Sequence, residues 1–126
     1  MSSSIPARIL LVDDDPAVCS ALAFSMELEG FAVDAYESGA ALACRTGFPA
    51  GACLVLDHRL PGLDGLDLLA SLRRRGVDLP AVLMTTNPRP ELRRRAQAAG
   101  VPIVEKPLLG DALVDAVRRA LPGARA

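Results

Sequence analysis

The sequence predicts an α/β domain, a parallel sheet of five strands with helices on both faces. Two observations carry this. Short apolar runs alternate with helical patterns five times, without internal repeats or low-complexity segments, as in βα units wound into one sheet. The run Ala52–Leu56 is apolar throughout, as befits a central strand buried on both faces. Length agrees: 126 residues form one domain, long enough to bury roughly two-thirds of the unfolded surface.

Each element has its own signal. Arg8–Val12 is the first strand and runs into Asp13-Asp14-Asp15. Pro16 suits a first helical position with Asp15 as its N-cap. Val18, Leu22, Met26 and Glu29 recur at spacings of three or four, and Gly30 ends that helix. Phe31–Tyr36 alternates as the second strand, Ser38–Arg45 is a short Ala-rich helix, and residues 46–51 are loop. After the central strand, Leu60-Pro61-Gly62 turns the chain, and Asp64 caps a helix opened by Gly65. Leu66, Leu69 and Leu72 give that helix one apolar face, and it closes at Gly76. Ala81–Thr85 is the fourth strand, Pro90–Ala99 the fourth helix, Ile103–Glu105 the fifth strand and Leu109–Leu121 the last helix.

Composition excludes several classes. The net charge of −1 argues against a strong nucleic-acid binder. No apolar run approaches the roughly 18 residues of a membrane span, and residues 1–6 lack the pattern of a signal peptide. Cys19, Cys44 and Cys53 are odd in number and widely spaced. They read as reduced core thiols of a cytoplasmic protein, with neither disulfide nor metal site. His58 is the sole histidine, so no His-based triad can be built. Arg73-Arg74-Arg75 and Arg93-Arg94-Arg95 read as solvated helix faces.

Right-handed crossovers place every strand-to-helix loop at one edge of the sheet. That edge collects Asp13 and Asp14 after the first strand, Asp57 after the third, Thr85 at the end of the fourth and Lys106 after the fifth. Three converging carboxylates repel, which raises at least one pKa unless a cation intervenes. Mg²⁺ suits such a set, because it takes oxygen ligands and prefers one or two carboxylates together with phosphate oxygens. Thr85 offers a hydroxyl and Lys106 an ammonium to phosphoryl oxygens. Lys106 is the only lysine in a chain with 14 basic residues. A compact ammonium enters a crowded oxygen cluster that a planar guanidinium would overfill.

The pieces Leu10-Leu11-Val12-Asp13-Asp14-Asp15, Leu56-Asp57 through Asp64-Gly65, the Thr85 strand end and Glu105-Lys106-Pro107 carry a resemblance. Over about residues 7–121 the chain resembles the receiver domain of a two-component response regulator, nearest the chemotaxis and nitrogen-fixation-regulator types. Residues 1–6 are then an N-terminal tail, and residues 122–126 a C-terminal tail or the start of a linker to an effector. The resemblance implies a flavodoxin-like (βα)5 three-layer fold with sheet order 2-1-3-4-5. It implies that Asp57 accepts a phosphoryl group from a histidine kinase or phosphotransfer protein. Asp13, Asp14, Asp57 and the backbone carbonyl of Arg59 would hold Mg²⁺, while Thr85 and Lys106 would bind the phosphoryl oxygens. The Lys106–Pro107 peptide would be cis. Such a domain is a phosphoacceptor and not a classical enzyme. It would bind neither nucleic acid nor membrane directly, and it could pair as a homodimer through the face of helix 4, strand 5 and helix 5.

Three residues govern the expected switch: Thr85, Thr86 and Ile103. Receivers usually carry Ala or Gly where this chain has Thr86, and Phe or Tyr where it has Ile103. Two prolines also stiffen Asn87-Pro88-Arg89-Pro90. These departures point to a weakened switch. Two other classes share parts of this pattern. A haloacid-dehalogenase-type phosphatase needs a general-acid Asp where Arg59 stands. A receiver-like binding module acting without phosphorylation would have no need of Asp57 and Lys106.

Overall fold

The computed structural model describes residues 7–106 and 111–121. In chain order its elements are β1 (Arg8–Val12), α1 (Pro16–Leu28), β2 (Ala32–Tyr36), α2 (Gly39–Ala43), β3 (Cys53–Asp57), α3 (Gly65–Arg74), β4 (Ala81–Thr85), α4 (Pro90–Ala99), β5 (Ile103–Glu105) and α5 (Ala112–Ala120). All neighbouring strands pair in parallel, in the order β2-β1-β3-β4-β5. This is the flavodoxin-like arrangement, with the crevice at the carboxyl ends of the strands where the order reverses.

Alternate residues of each strand point to opposite faces, and two cores result. Leu10, Leu54 and Leu83 face α2, α3 and α4 through Leu42, Leu72 and Leu92. Ile9, Val55 and Val82 face α1 and α5 through Met26 and Val117. β3 and β4 are buried along their whole length, so the middle of the sheet is shielded from solvent on both faces.

Several boundaries differ from the sequence reading. β3 runs Cys53–Asp57 and not Ala52–Leu56, because Asp57 keeps ladder register with Met84. The second helix shrinks to Gly39–Ala43, since Ser38 is its N-cap, accepting from the Ala41 N–H, and Cys44 its C-cap. β2 begins at Ala32, α1 ends at Leu28 and α3 at Arg74. The last helix is seen from Ala112, and the expected start at Leu109 lies outside the described residues. On α1 the buried positions are Cys19 and Met26, with Val18 and Leu22 half-buried and Glu29 exposed. The seam is thus rotated by about one residue toward Cys19. Cys19 and Cys53 are buried as expected, whereas Cys44, at the end of a one-turn helix, is exposed. Among the described residues no helix is long and apolar enough to cross a membrane.

Candidate functional site

The loops after β1, β3, β4 and β5 meet over the sheet in a cleft of about 320 Å³, whose walls include Asp13, Asp14, Asp57, Arg59, Thr85 and Lys106. Four separate stretches of sequence reach it because parallel strands end at one edge. Thr86 and Val18 also line it. Val18 was read from the sequence only as part of the α1 seam, and nothing in its spacing marks it for a cleft.

Asp13 follows β1 and is 1% exposed. Its backbone N–H donates to the Tyr36 carbonyl, and its carboxylate accepts from the Asp15 N–H at 3.0 Å. Asp14 beside it is exposed. Asp15 serves as the N-cap, accepting from Ala17 and Val18. Asp57 ends β3 and is 6% exposed. One carboxylate oxygen from each of Asp13, Asp14 and Asp57 lies within 4.8 Å of the others. Lys106 Nζ stands 3.2 Å from Asp13 Oδ2 and 3.2 Å from Asp57 Oδ2.

The charges do not balance, and the titration behaviour follows. Burial raises the Asp57 pKa, and the Asp13 charge adds to the effect. The Lys106 ammonium and the Arg59 backbone pull the other way without cancelling it. Burial works against the Lys106 charge too, but Asp57 and Asp13 outweigh it and its pKa is raised. The one ammonium bridges two of the three carboxylates, Asp13 and Asp57, and negative charge is left over.

That residue of charge fits a hard divalent cation. Every donor in the cluster is a carboxylate oxygen, the ligand type Mg²⁺ takes, and the exposed Asp14 side leaves room for waters. Arg59 is exposed at the rim and lines the same cleft.

Thr85 is 4% exposed, and its hydroxyl donates to the Thr86 carbonyl at 3.4 Å. The Thr85 carbonyl accepts from the Lys106 N–H at 2.8 Å, so β4 holds Lys106 in place. Thr86 is exposed, and Asn87 takes a left-handed φ of 52° before the two prolines. Ile103 is half-buried against the core and pairs in register with Leu83, with β4 standing between it and the strand of Asp57, and it is not among the residues that wall the cleft. Pro107 lies outside the described residues, and with it the expected cis peptide.

The loop below Asp57 is built around two glycines. Gly62 has φ +80°, which the turn after Pro61 requires. A methyl on Gly65 would stand 2.5 Å from the Asp57 carbonyl oxygen and 2.9 Å from Leu83 Cδ1. The Gly65 N–H also donates to the His58 carbonyl at 2.9 Å. Sequence reading saw in Gly65 only a helix start; its second task depends on a close approach of backbone that no spacing reveals. Asp64 caps α3 by accepting from the Asp67 N–H at 2.8 Å, as expected.

Comparison with known proteins agrees with this layout. The transcriptional regulatory protein FixJ of Azorhizobium caulinodans is 37% identical over 123 residues, covering 96% of this chain and 57% of that protein. The C4-dicarboxylate transport transcriptional regulatory protein DctD of Pseudomonas aeruginosa is 36% identical over 115 residues, covering 90% of this chain and 25% of that protein. The chain thus spans between a quarter and little more than half of these relatives. The crystal structure of FixJ-N superposes with a TM-score of 0.82 at 28% identity, covering 95% of this chain and 94% of that one. The Thermotoga maritima response regulator TrrA, solved in complex with Mg²⁺-BeF, gives 0.77 at 28% identity, covering 91% of this chain and 99% of that one. Residues 9–118 match the response regulator receiver domain. The chain belongs to the receiver domain family of two-component response regulators.

Proposed function

We propose that this domain accepts a phosphoryl group on Asp57 from a phosphohistidine of a sensor kinase or phosphotransfer protein, and that it passes the signal on by changing shape. The observation that carries this reading is the joining of Asp57 to Lys106, Asp13 and Asp14 in one cleft. A carboxylate oxygen of Asp57 forms the new bond to phosphorus as the donor's P–N bond breaks, and the imidazole nitrogen keeps the electron pair. Phosphoryl transfer of this kind rests mostly on positioning and charge neutralisation. Lys106, already 3.2 Å from Asp57, would hold one phosphoryl oxygen and the Thr85 hydroxyl another.

Asp13, Asp14, Asp57 and the Arg59 carbonyl would hold Mg²⁺, which supplies the charge neutralisation that lets an anionic phosphoryl group approach a carboxylate. TrrA, bound to Mg²⁺-BeF, supports the choice of ion and of the beryllofluoride mimic used below. The domain acts in the cytoplasm, where its donors are. Its output belongs to whatever effector accompanies it, as in the transcriptional regulators it resembles. A homodimer through α4, β5 and α5 is one route for that output.

Intact mass after incubation with Mg²⁺ and a small phosphodonor tests the reading. One added phosphoryl group is expected, lost in Asp57→Asn and kept in Asp64→Asn. Labelling that survives Asp57→Asn overturns the acceptor assignment, and an unchanged wild-type mass points to a binding module instead.

A further inference from the structure

Helix α4 is held differently from its neighbours. Of its ten residues only Leu92 and Ala96 are buried, whereas α3 buries five of ten and α5 four of nine. Polar contacts supply the remaining hold. Arg95 Nη1 lies 3.2 Å from Asp64 Oδ2, and its Nη2 lies 3.1 Å from Asp67 Oδ1. Arg93 pairs with Glu105 at 3.0 Å, and Arg73 of α3 donates to the Ala99 carbonyl at 2.7 Å. Arg94, between the two paired arginines, is exposed and makes no ion pair among the described residues. The arginine run read from sequence as a solvated face is in part a set of anchors.

The Arg95 anchor touches the acceptor loop itself. Asp64 ends the segment that starts at Asp57, and the two ends of that segment are joined: Gly65 packs under the Asp57 carbonyl and its N–H donates to the His58 carbonyl. On its other side Arg95, with Leu92 and Glu91, walls a recess of about 240 Å³ that also contains Thr85, Thr86 and Arg59. Helix α4 thus leans on both loops that would respond to a phosphoryl group, and its grip on the first is a guanidinium shared by two carboxylates. Single exposed ion pairs are weak and screened by salt. Here Asp64 is partly buried, its side chain 28% exposed, and fixed by its capping bond, so less side-chain entropy is lost in the pairing.

We infer that Arg95, paired with Asp64 and Asp67, is a latch that holds α4 against the acceptor loop in the unphosphorylated state and opposes the switch. This rests on the phosphoacceptor reading above and adds a positioning residue to it. Its sign is distinctive. An arginine that merely drew anions toward the cleft would, on removal, weaken binding of an anionic phosphoryl mimic. Release of a latch makes the switched state more accessible, and the mimic binds more tightly.

The test compares wild type, Arg95→Gln and Arg94→Gln, the last removing the same charge from an unpaired neighbour. Affinity for beryllofluoride in saturating Mg²⁺ is read by calorimetry, and amide hydrogen exchange over residues 92–99 is read in the unliganded protein. Arg95→Gln is expected to tighten the mimic about threefold and to speed that exchange by a similar factor, as loss of two partly exposed pairs allows. Arg94→Gln should do neither. Asp67→Asn, which leaves the Asp64 cap intact, should act in the same direction by less. Unchanged or weaker binding in Arg95→Gln, or unchanged exchange, overturns the latch. A wild type that does not bind the mimic overturns the phosphoacceptor reading, and the latch with it.

Discussion

Asp57 and Lys106 stand 3.2 Å apart although their strands, β3 and β5, are not neighbours. The strand between them, β4, accepts the Lys106 N–H at the Thr85 carbonyl, so one residue sets the height of the ammonium above the carboxylate. The pair is unequal. Burial raises the Asp57 pKa in spite of Lys106, so the ionised carboxylate is a local burden on the folded state.

A stability prediction follows from that sign. A carboxyl whose folded pKa lies above its unfolded one stabilises the fold at low pH, and the contribution is lost as pH rises through the folded value. Asp57→Asn should therefore raise Tm at pH 7 without Mg²⁺ by a few degrees, the size of about 1 kcal/mol in a domain of this length. The gain should vanish near pH 3, where both forms are neutral. Saturating Mg²⁺ should stabilise wild type more than the variant. Calorimetry at the two pH values, with and without the ion, checks this.

Replacement of Lys106 separates charge from shape. Lys106 is 23% exposed along its side chain and sits between two carboxylates. Lys106→Ala should slow phosphorylation by about a hundredfold, as loss of a charge stabiliser at a reacting group does. Lys106→Arg should not restore the rate, because the planar fork needs more room. A fully active Arg variant would assign Lys106 no role beyond a surface cation.

Gly65→Ala should be destabilising by about 1–3 kcal/mol, the usual effect of overpacking. A methyl there meets the Asp57 carbonyl oxygen at 2.5 Å, so phosphorylation should slow as well. The denaturant midpoint and the rate of phosphodonor labelling are the two measurements.

The thiols should divide two to one. Burial pushes the Cys53 thiol up to about 12 and also raises that of Cys19, while Cys44 is exposed. A thiol reagent at pH 8 should modify one cysteine of the folded protein, and Cys44→Ser should abolish that reaction.

The switch should respond to Ile103. This side chain is β-branched, half-buried, and lines a groove with Arg93, Ala96 and Val101 at the α4–β5 face. With no ring to fill space vacated behind Thr85, phosphorylation should impose a smaller rearrangement than in receivers with Phe or Tyr there. Ile103→Phe should enlarge the amide NMR shifts that beryllofluoride produces in α4 and β5. Shifts equal to those of wild type would remove Ile103 from the switch.

What the sequence by itself determined was periodic or terminal. The five strands and five helices are visible because apolar residues repeat at two or at three to four, and because Asp15, Ser38 and Asp64 stand where helices begin. The edge that gathers Asp13, Asp14, Asp57, Thr85 and Lys106 followed from parallel connectivity alone, since every strand end then lies on one side. Only tertiary structure decided the rest. It made Asp57 the last ladder residue and not the first of a loop, because register with Met84 is a property of two strands. It turned α1 toward Cys19, exposed Cys44, pressed Gly65 against the Asp57 carbonyl, and brought Arg95 to Asp64 across 31 positions of sequence. Each of these depends on where a second element packs, and no local pattern of residues carries that distance.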